Sequence, residues 1–163
     1  MALIAAALAL SPAIAHAAEV GFLNTLGGDW GGDGSVRIRT TMPSMPVKCR
    51  FSSTATESSM SLAGQCTSLA IFSRPLSATV KTNGKLYTGT YLGSKTGPAT
   101  LRGTRSGNAL NLEIRWARNV NGDRSAQLRI EKIGGDRMRL TTIDTNPQTG
   151  KIVITSQIDL RRL

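Results

Sequence analysis

The chain has 163 residues, 40% of them hydrophobic and only 4% aromatic, with 20 Lys and Arg against 10 Asp and Glu for a net charge of +10. This length accommodates one compact domain and not two. The single histidine, His16, falls in a segment expected to be removed, which excludes imidazole-based triads, H-E-x-x-H zinc sites and His-ligated haem from the mature chain.

Residues 1–17 read MALIAAALALSPAIAHA, an apolar stretch ending in the small-x-small pattern of a secretory cleavage site. They are read as a signal peptide, which places the mature protein in the periplasm or outside the cell. Residues 18–34 follow as an N-terminal arm and a glycine-rich loop, with at most one helical turn near residues 19–25. Residues 35–163 are read as a single β-barrel domain. No later stretch reaches the ~20 apolar residues of a membrane-spanning helix.

From residue 35 onward the apolar residues recur with period 2, the signature of half-buried strands. Val36, Ile38 and Thr40 alternate with Arg37, Arg39 and Thr41. After the turn at Pro43 and Pro46, Val47, Cys49 and Phe51 share one face, with Lys48 and Arg50 on the other. Met60, Leu62, Gly64 and Cys66 form the next apolar face. Setting Cys49 opposite Cys66 puts Phe51 opposite Gly64 and Ser53 opposite Leu62. The hydrophobic register thus agrees with the disulfide expected of an even pair in an oxidising compartment. The run Leu69-Ala70-Ile71-Phe72-Ser73 breaks at Pro75, and Leu76, Ala78 and Val80 resume on the opposite parity, which predicts a bulge or corner.

Asn83-Gly84 is read as a two-residue hairpin loop, placing Val80 opposite Tyr87 and Leu76 opposite Tyr91. Leu101 and Gly103 precede a turn at Gly107-Asn108, and Leu110, Leu112, Ile114 and Trp116 follow. Asn121-Gly122 leads to Ala126, Leu128 and Ile130, and Gly134-Gly135 to Met138, Leu140 and Thr142. The last strand carries Ile152, Ile154, Ser156, Ile158 and Leu160. Hairpin-length connections leave no room for a crossover helix. The prediction is an all-β, antiparallel up-and-down barrel of about 8–10 strands, since closure removes exposed edges. A two-sheet sandwich is the alternative.

Gly28-Asp29-Trp30-Gly31-Gly32-Asp33-Gly34 fits G-x-W-x-G-x-G. The motif resembles that of calycin-type barrels, lipocalins through G-x-W and nitrobindin-like barrels through the longer form. The order of motif, two separated cysteines and a basic last strand is similar to a group of small exported alphaproteobacterial barrels with no established activity. The resemblance implies that Trp30 plugs one end of the barrel, framed by Gly28, Gly32 and Gly34. A basic residue of the last strand, Arg161 or Arg162, would cover its ring. Haem binding is not carried over, because nitrobindin-like barrels hold haem through a histidine. Periplasmic metalloprotease inhibitors share the layout of a small barrel with one disulfide and act through an N-terminal arm; residues 18–27 offer such an arm.

Tyr87, Tyr91 and Trp116 lie on the apolar parity, with Gly89 and Gly103 nearby, and are the candidate lining of a modest apolar void. No inward charge is evident. Arg37, Arg39, Lys48 and Arg50 read as outward residues of adjacent strands and as a candidate contact for an anionic envelope component; a solubilising patch is the alternative. The acids are scattered, so no catalytic residues, metal site or cofactor are expected. Few aromatics and no recognisable nucleic-acid motif argue against a nucleic-acid partner. The expected function is that of an exported, non-catalytic binding protein, a carrier of a small apolar ligand. The alternative is a protein-binding module such as a periplasmic protease inhibitor or an envelope-associated structural protein. A void well under ~300 Å³ favours the alternative.

Overall fold

The alternating pattern folds, in the computed structural model, into ten strands. They are β1 (Gly28–Val36), β2 (Met45–Ala55), β3 (Ser59–Ser68), β4 (Phe72–Thr82), β5 (Tyr87–Leu92), β6 (Ala99–Ser106), β7 (Ala109–Val120), β8 (Asp123–Ile133), β9 (Arg137–Thr145) and β10 (Ile152–Arg162). Each pairs antiparallel with its chain neighbours, and β10 closes on β1. The result is an up-and-down barrel rather than a sandwich. The structure describes residues 21–68, 72–93 and 95–163; the expected signal peptide lies outside them. Among the described residues no helix is long and apolar enough to cross a membrane. The outer wall carries exposed Lys48, Arg50, Glu113, Arg115 and Gln127, unlike the apolar band of a membrane-embedded barrel.

The glycine-rich motif is a strand, not the expected loop. β1 pairs with β2 from Gly28 and with β10 from Trp30. A Cβ at Gly32 would stand 1.9 Å from the Asp159 carbonyl oxygen, and one at Gly34 2.2 Å from that of Gln157. Only glycine lets the two strands approach this closely. Conversely, the strand expected over residues 36–41 ends at Val36, and Ile38 is exposed in the following loop.

The central register follows the sequence reading. Cys49 faces Cys66, Phe51 faces Gly64 and Ser53 faces Leu62, and the disulfide forms across the first pair. Three other expectations are corrected. β4 runs through Pro75 with no register shift, so the expected bulge or corner is absent there; Leu69, Ala70 and Ile71 lie outside the described residues. At the next hairpin Thr82 faces Tyr87 and Ala78 faces Tyr91, two residues from the predicted pairing. Here Asn83 closes a four-residue loop: its N–H donates to the Leu86 carbonyl, and its Oδ1 accepts from the Lys85 and Leu86 N–H groups. A shift of two preserves the faces. Finally, an irregularity between Ile154 and Ser156 flips the parity of β10, leaving Ile152 and Ile154 exposed and Ile158 and Leu160 buried.

One end of the barrel is sealed. Residues 21–24 form a helical turn that, with the residues after it, brings Phe22, Leu23 and Leu26 into the core. They are therefore no free inhibitory arm. Trp30 is fully buried beneath them and donates from Nε1 to the Leu26 carbonyl at 3.1 Å. The Arg162 guanidinium lies 4.5 Å from the indole centroid and donates to the carbonyls of Gly27 and Thr25. Gly28, at φ 124°, leaves the space that this guanidinium fills. Lys132 Nζ stands 5.5 Å from the same ring, its pKa lowered by burial and then by Arg162. Arg161 pairs in register with Gly31 and is exposed, so the closing cation is Arg162 and not Arg161.

Two outcomes follow. Mass spectrometry without reductant should find the chain lighter by two hydrogen atoms than the dithiol, and replacing both cysteines by alanine should lower stability by ~3 kcal/mol. Trp30→Ala should cost ~3–5 kcal/mol in denaturant unfolding; a change below ~0.5 kcal/mol would contradict a sealing role.

Candidate ligand site at the open end of the barrel

At the opposite end a cavity of about 140 Å³ opens between the starts of β4 and β10 and the ends of β1, β5 and β7. Its lining includes Leu76, Phe72, Tyr91, Trp116, Arg74 and Asp144. A further void of about 40 Å³ lies among Phe51, Leu62, Ala78, Leu128 and Ile158, and both spaces touch Leu76, Tyr91, Thr142 and Ser156. Among the described residues, Leu101, Leu112, Ile114, Ile130 and Met138 are fully buried in the interior towards the sealed end. Larger concavities of about 690 and 470 Å³ lie on the outer wall, where Gly103 and where Gly31 and Gly32 present no side chain; they are open furrows among polar residues.

Tyr91 and Trp116 face each other with ring centroids 5.9 Å apart at 55°. The indole N–H of Trp116 is buried with no acceptor among the described residues, which costs about 1–3 kcal/mol when no partner is present. The Trp116 carbonyl accepts from Arg124 Nε at 2.8 Å. Arg74 lies 5.4 Å from the Phe72 centroid and donates to the Gly93 carbonyl at 3.1 Å. Burial pushes the Tyr91 phenol up to about 12, against a smaller downward pull from Arg74.

Asp144 is the buried acid of the mouth. Its carboxylate accepts from Asn121 Nδ2 and from the Thr145 N–H, both at 2.7 Å. Burial raises its pKa, and these two hydrogen bonds hold it down in part. Asn121, at φ 55° in the β7–β8 turn, also accepts from the Thr40 N–H at 3.2 Å. The chain Thr40–Asn121–Asp144 thus ties the β1–β2 loop across the mouth.

Of the aromatic and glycine residues proposed from sequence, the structure gathers only Tyr91 and Trp116 at this cavity. Tyr87 is fully buried in the core towards the sealed end. Gly89 permits close strand approach, since a Cβ there would meet the Thr79 carbonyl at 1.8 Å; Gly103 borders the outer furrow. The cationic quartet also divides. Arg37 and Arg39 belong to the open-end loop, whereas Lys48 and Arg50 lie on the β2 wall, with Lys48 in register opposite Asp33. The expectation of no inward charge is corrected by Asp144, which extending the parity of Met138, Leu140 and Thr142 by one step finds. Arg74 carried no such signal, because the parity of β4 was misread at Pro75.

No family model matches the chain, and none of the curated proteins is similar to it in sequence. Among solved structures it is similar to the crystal structure of Rv2717c from M. tuberculosis, with 14% identity and a TM-score of 0.68 over 95% of this chain and 99% of that one. At that identity the likeness establishes the fold alone.

An alkaline titration followed by phenolate absorbance tests the mouth. Tyr91 should ionise only near pH 12, and Arg74→Met, by removing the nearby cation, should move it higher still. A Tyr91 transition at the ordinary value of 10.0 would contradict its burial.

Proposed function

We propose that the chain is an exported, non-catalytic binding protein of calycin-like type, and that the open end of its barrel receives a ring-sized apolar group. The observation that carries this reading is the buried indole N–H of Trp116, which has no acceptor among the described residues and stands beside Tyr91 in the wall of the mouth cavity. A dry cavity of similar volume accommodates benzene. A ligand that places a ring against Leu76 and Tyr91 and an acceptor oxygen towards Trp116 Nε1 removes the desolvation cost of that donor. The sealed end, with Arg162 over Trp30, supports the calycin-like assignment. The disulfide, which persists in oxidising compartments, supports export.

The same volume favours a second reading, a protein-binding module. It lies below the ~300 Å³ at which usual ligand pockets begin, so the mouth fits a partner's inserted side chain as well as a free molecule. Such a module would not act through residues 22–26, which are engaged in sealing the barrel.

Ligand-observed NMR with toluene, p-cresol and benzamide separates the readings. Benzamide should bind about tenfold more tightly than toluene, the equivalent of one net hydrogen bond, and Trp116→Phe should abolish that difference while leaving toluene binding intact. No binding by any probe at millimolar concentration contradicts the ligand reading and leaves the protein-binding one.

A further inference from the structure

Seven large hydrophobic side chains stand exposed among the described residues, and all but Leu163 lie at the open end. Ile38 is 49% exposed, Met42 40%, Phe72 39%, Leu92 42%, Ile152 78% and Ile154 49%. They sit on the β1–β2 loop, the start of β4, the end of β5 and the start of β10. In the closed ring β1, β2, β3, β4 and β5 are consecutive neighbours, so Ile38, Met42, Phe72 and Leu92 stand along one side of the rim, whereas Ile152 borders the outer furrow with Glu113 and Asp123. Clustered exposed apolar surface marks an interaction face, whereas scattered single residues do not. Charge specifies the occupant. That side carries Arg37, Arg39, Arg74 and Lys95, and residues 37–44, 72–75 and 92–98 contain no Asp or Glu. Arg37 donates to the Met42 carbonyl at 2.8 Å, and Arg74 lies against Phe72, so cation and hydrophobe stand side by side.

We propose that this rim docks onto an anionic lipid surface, with Ile38, Met42, Phe72 and Leu92 entering the acyl boundary and Arg37, Arg39, Arg74 and Lys95 meeting the headgroup phosphates. Apolar insertion combined with attraction to anionic headgroups is the general basis of interfacial binding. A second copy of this chain is disfavoured as the occupant, because two such rims would bring like charges together. Docking sets the mouth cavity against the membrane and does not depend on what the cavity holds.

Sedimentation of the full chain with vesicles of phosphatidylcholine, with and without phosphatidylglycerol, tests this. Retention should require phosphatidylglycerol and fall as salt is raised. Arg39→Gln with Lys95→Gln should lower the partition constant about 30-fold, and Phe72→Ser with Leu92→Ser at least about tenfold. Lys81→Gln with Lys85→Gln removes the same charge towards the sealed end and should change it less than about threefold. Every variant shares residues 1–17, so their contribution cancels, and thermal melts confirm that each is folded. Absence of retention, equal loss in the two charge variants, or full retention by the serine variant would overturn the proposal. So would light scattering that finds a dimer which the rim variants dissociate, since the face would then belong to a second copy.

Discussion

Closure of β10 on β1 is the constraint on which the rest of the barrel depends. The seam brings the two strands together where Gly32 and Gly34 carry no side chain, because a Cβ at either would collide with a β10 carbonyl. If the seam stayed open, two edges would expose unpaired N–H and C=O groups, a template for pairing with other chains. Closure also holds Trp30 opposite Arg162, and this sets the guanidinium over the indole. The helical turn, the tryptophan and the cation form one seal only because β1 and β10 are in this register.

Sealing one end makes the two ends physically different. At the sealed end the indole N–H has an acceptor in Leu26, and the covering cation adds a favourable face interaction of order 0.5–2 kcal/mol. At the open end the second indole has no acceptor among the described residues, an acid is buried, and apolar side chains stand in the open. The two ends therefore differ in what they leave open, a cavity at one and a covered tryptophan at the other. Between them lies a small void of about 40 Å³ beside the mouth, among side chains that otherwise pack the core.

Much of the architecture was legible because alternation reports which face a side chain takes. The register of Cys49 and Cys66 followed from parity and disulfide chemistry together. The same rule cannot see a strand whose residues are glycine, so β1 read as a loop. It also fails wherever an extra residue shifts parity, as between Ile154 and Ser156, where Ile154, on the same sequence parity as Ile158 and Leu160, lies outside. Asn83 changed a loop length through its own side chain, yet the even shift spared the faces. At the mouth, parity found Tyr91 and Trp116 and could have found Asp144. The apolar rim was not legible, since Ile38, Phe72 and Leu92 are distant in sequence and come to one end of the barrel only when the strands pair.

Native-state hydrogen exchange addresses the seam directly. If ring closure underlies the fold, the ladder amides of β1 and β10 around Gly32, Gly34, Ile158 and Leu160 should exchange only through global unfolding. Their protection should then equal that of the β7–β8 pair. Exchange at the seam far faster than in β7 and β8 would mean that β1 and β10 part while the remaining sheet stays folded, and would contradict closure as the constraint that holds the barrel together.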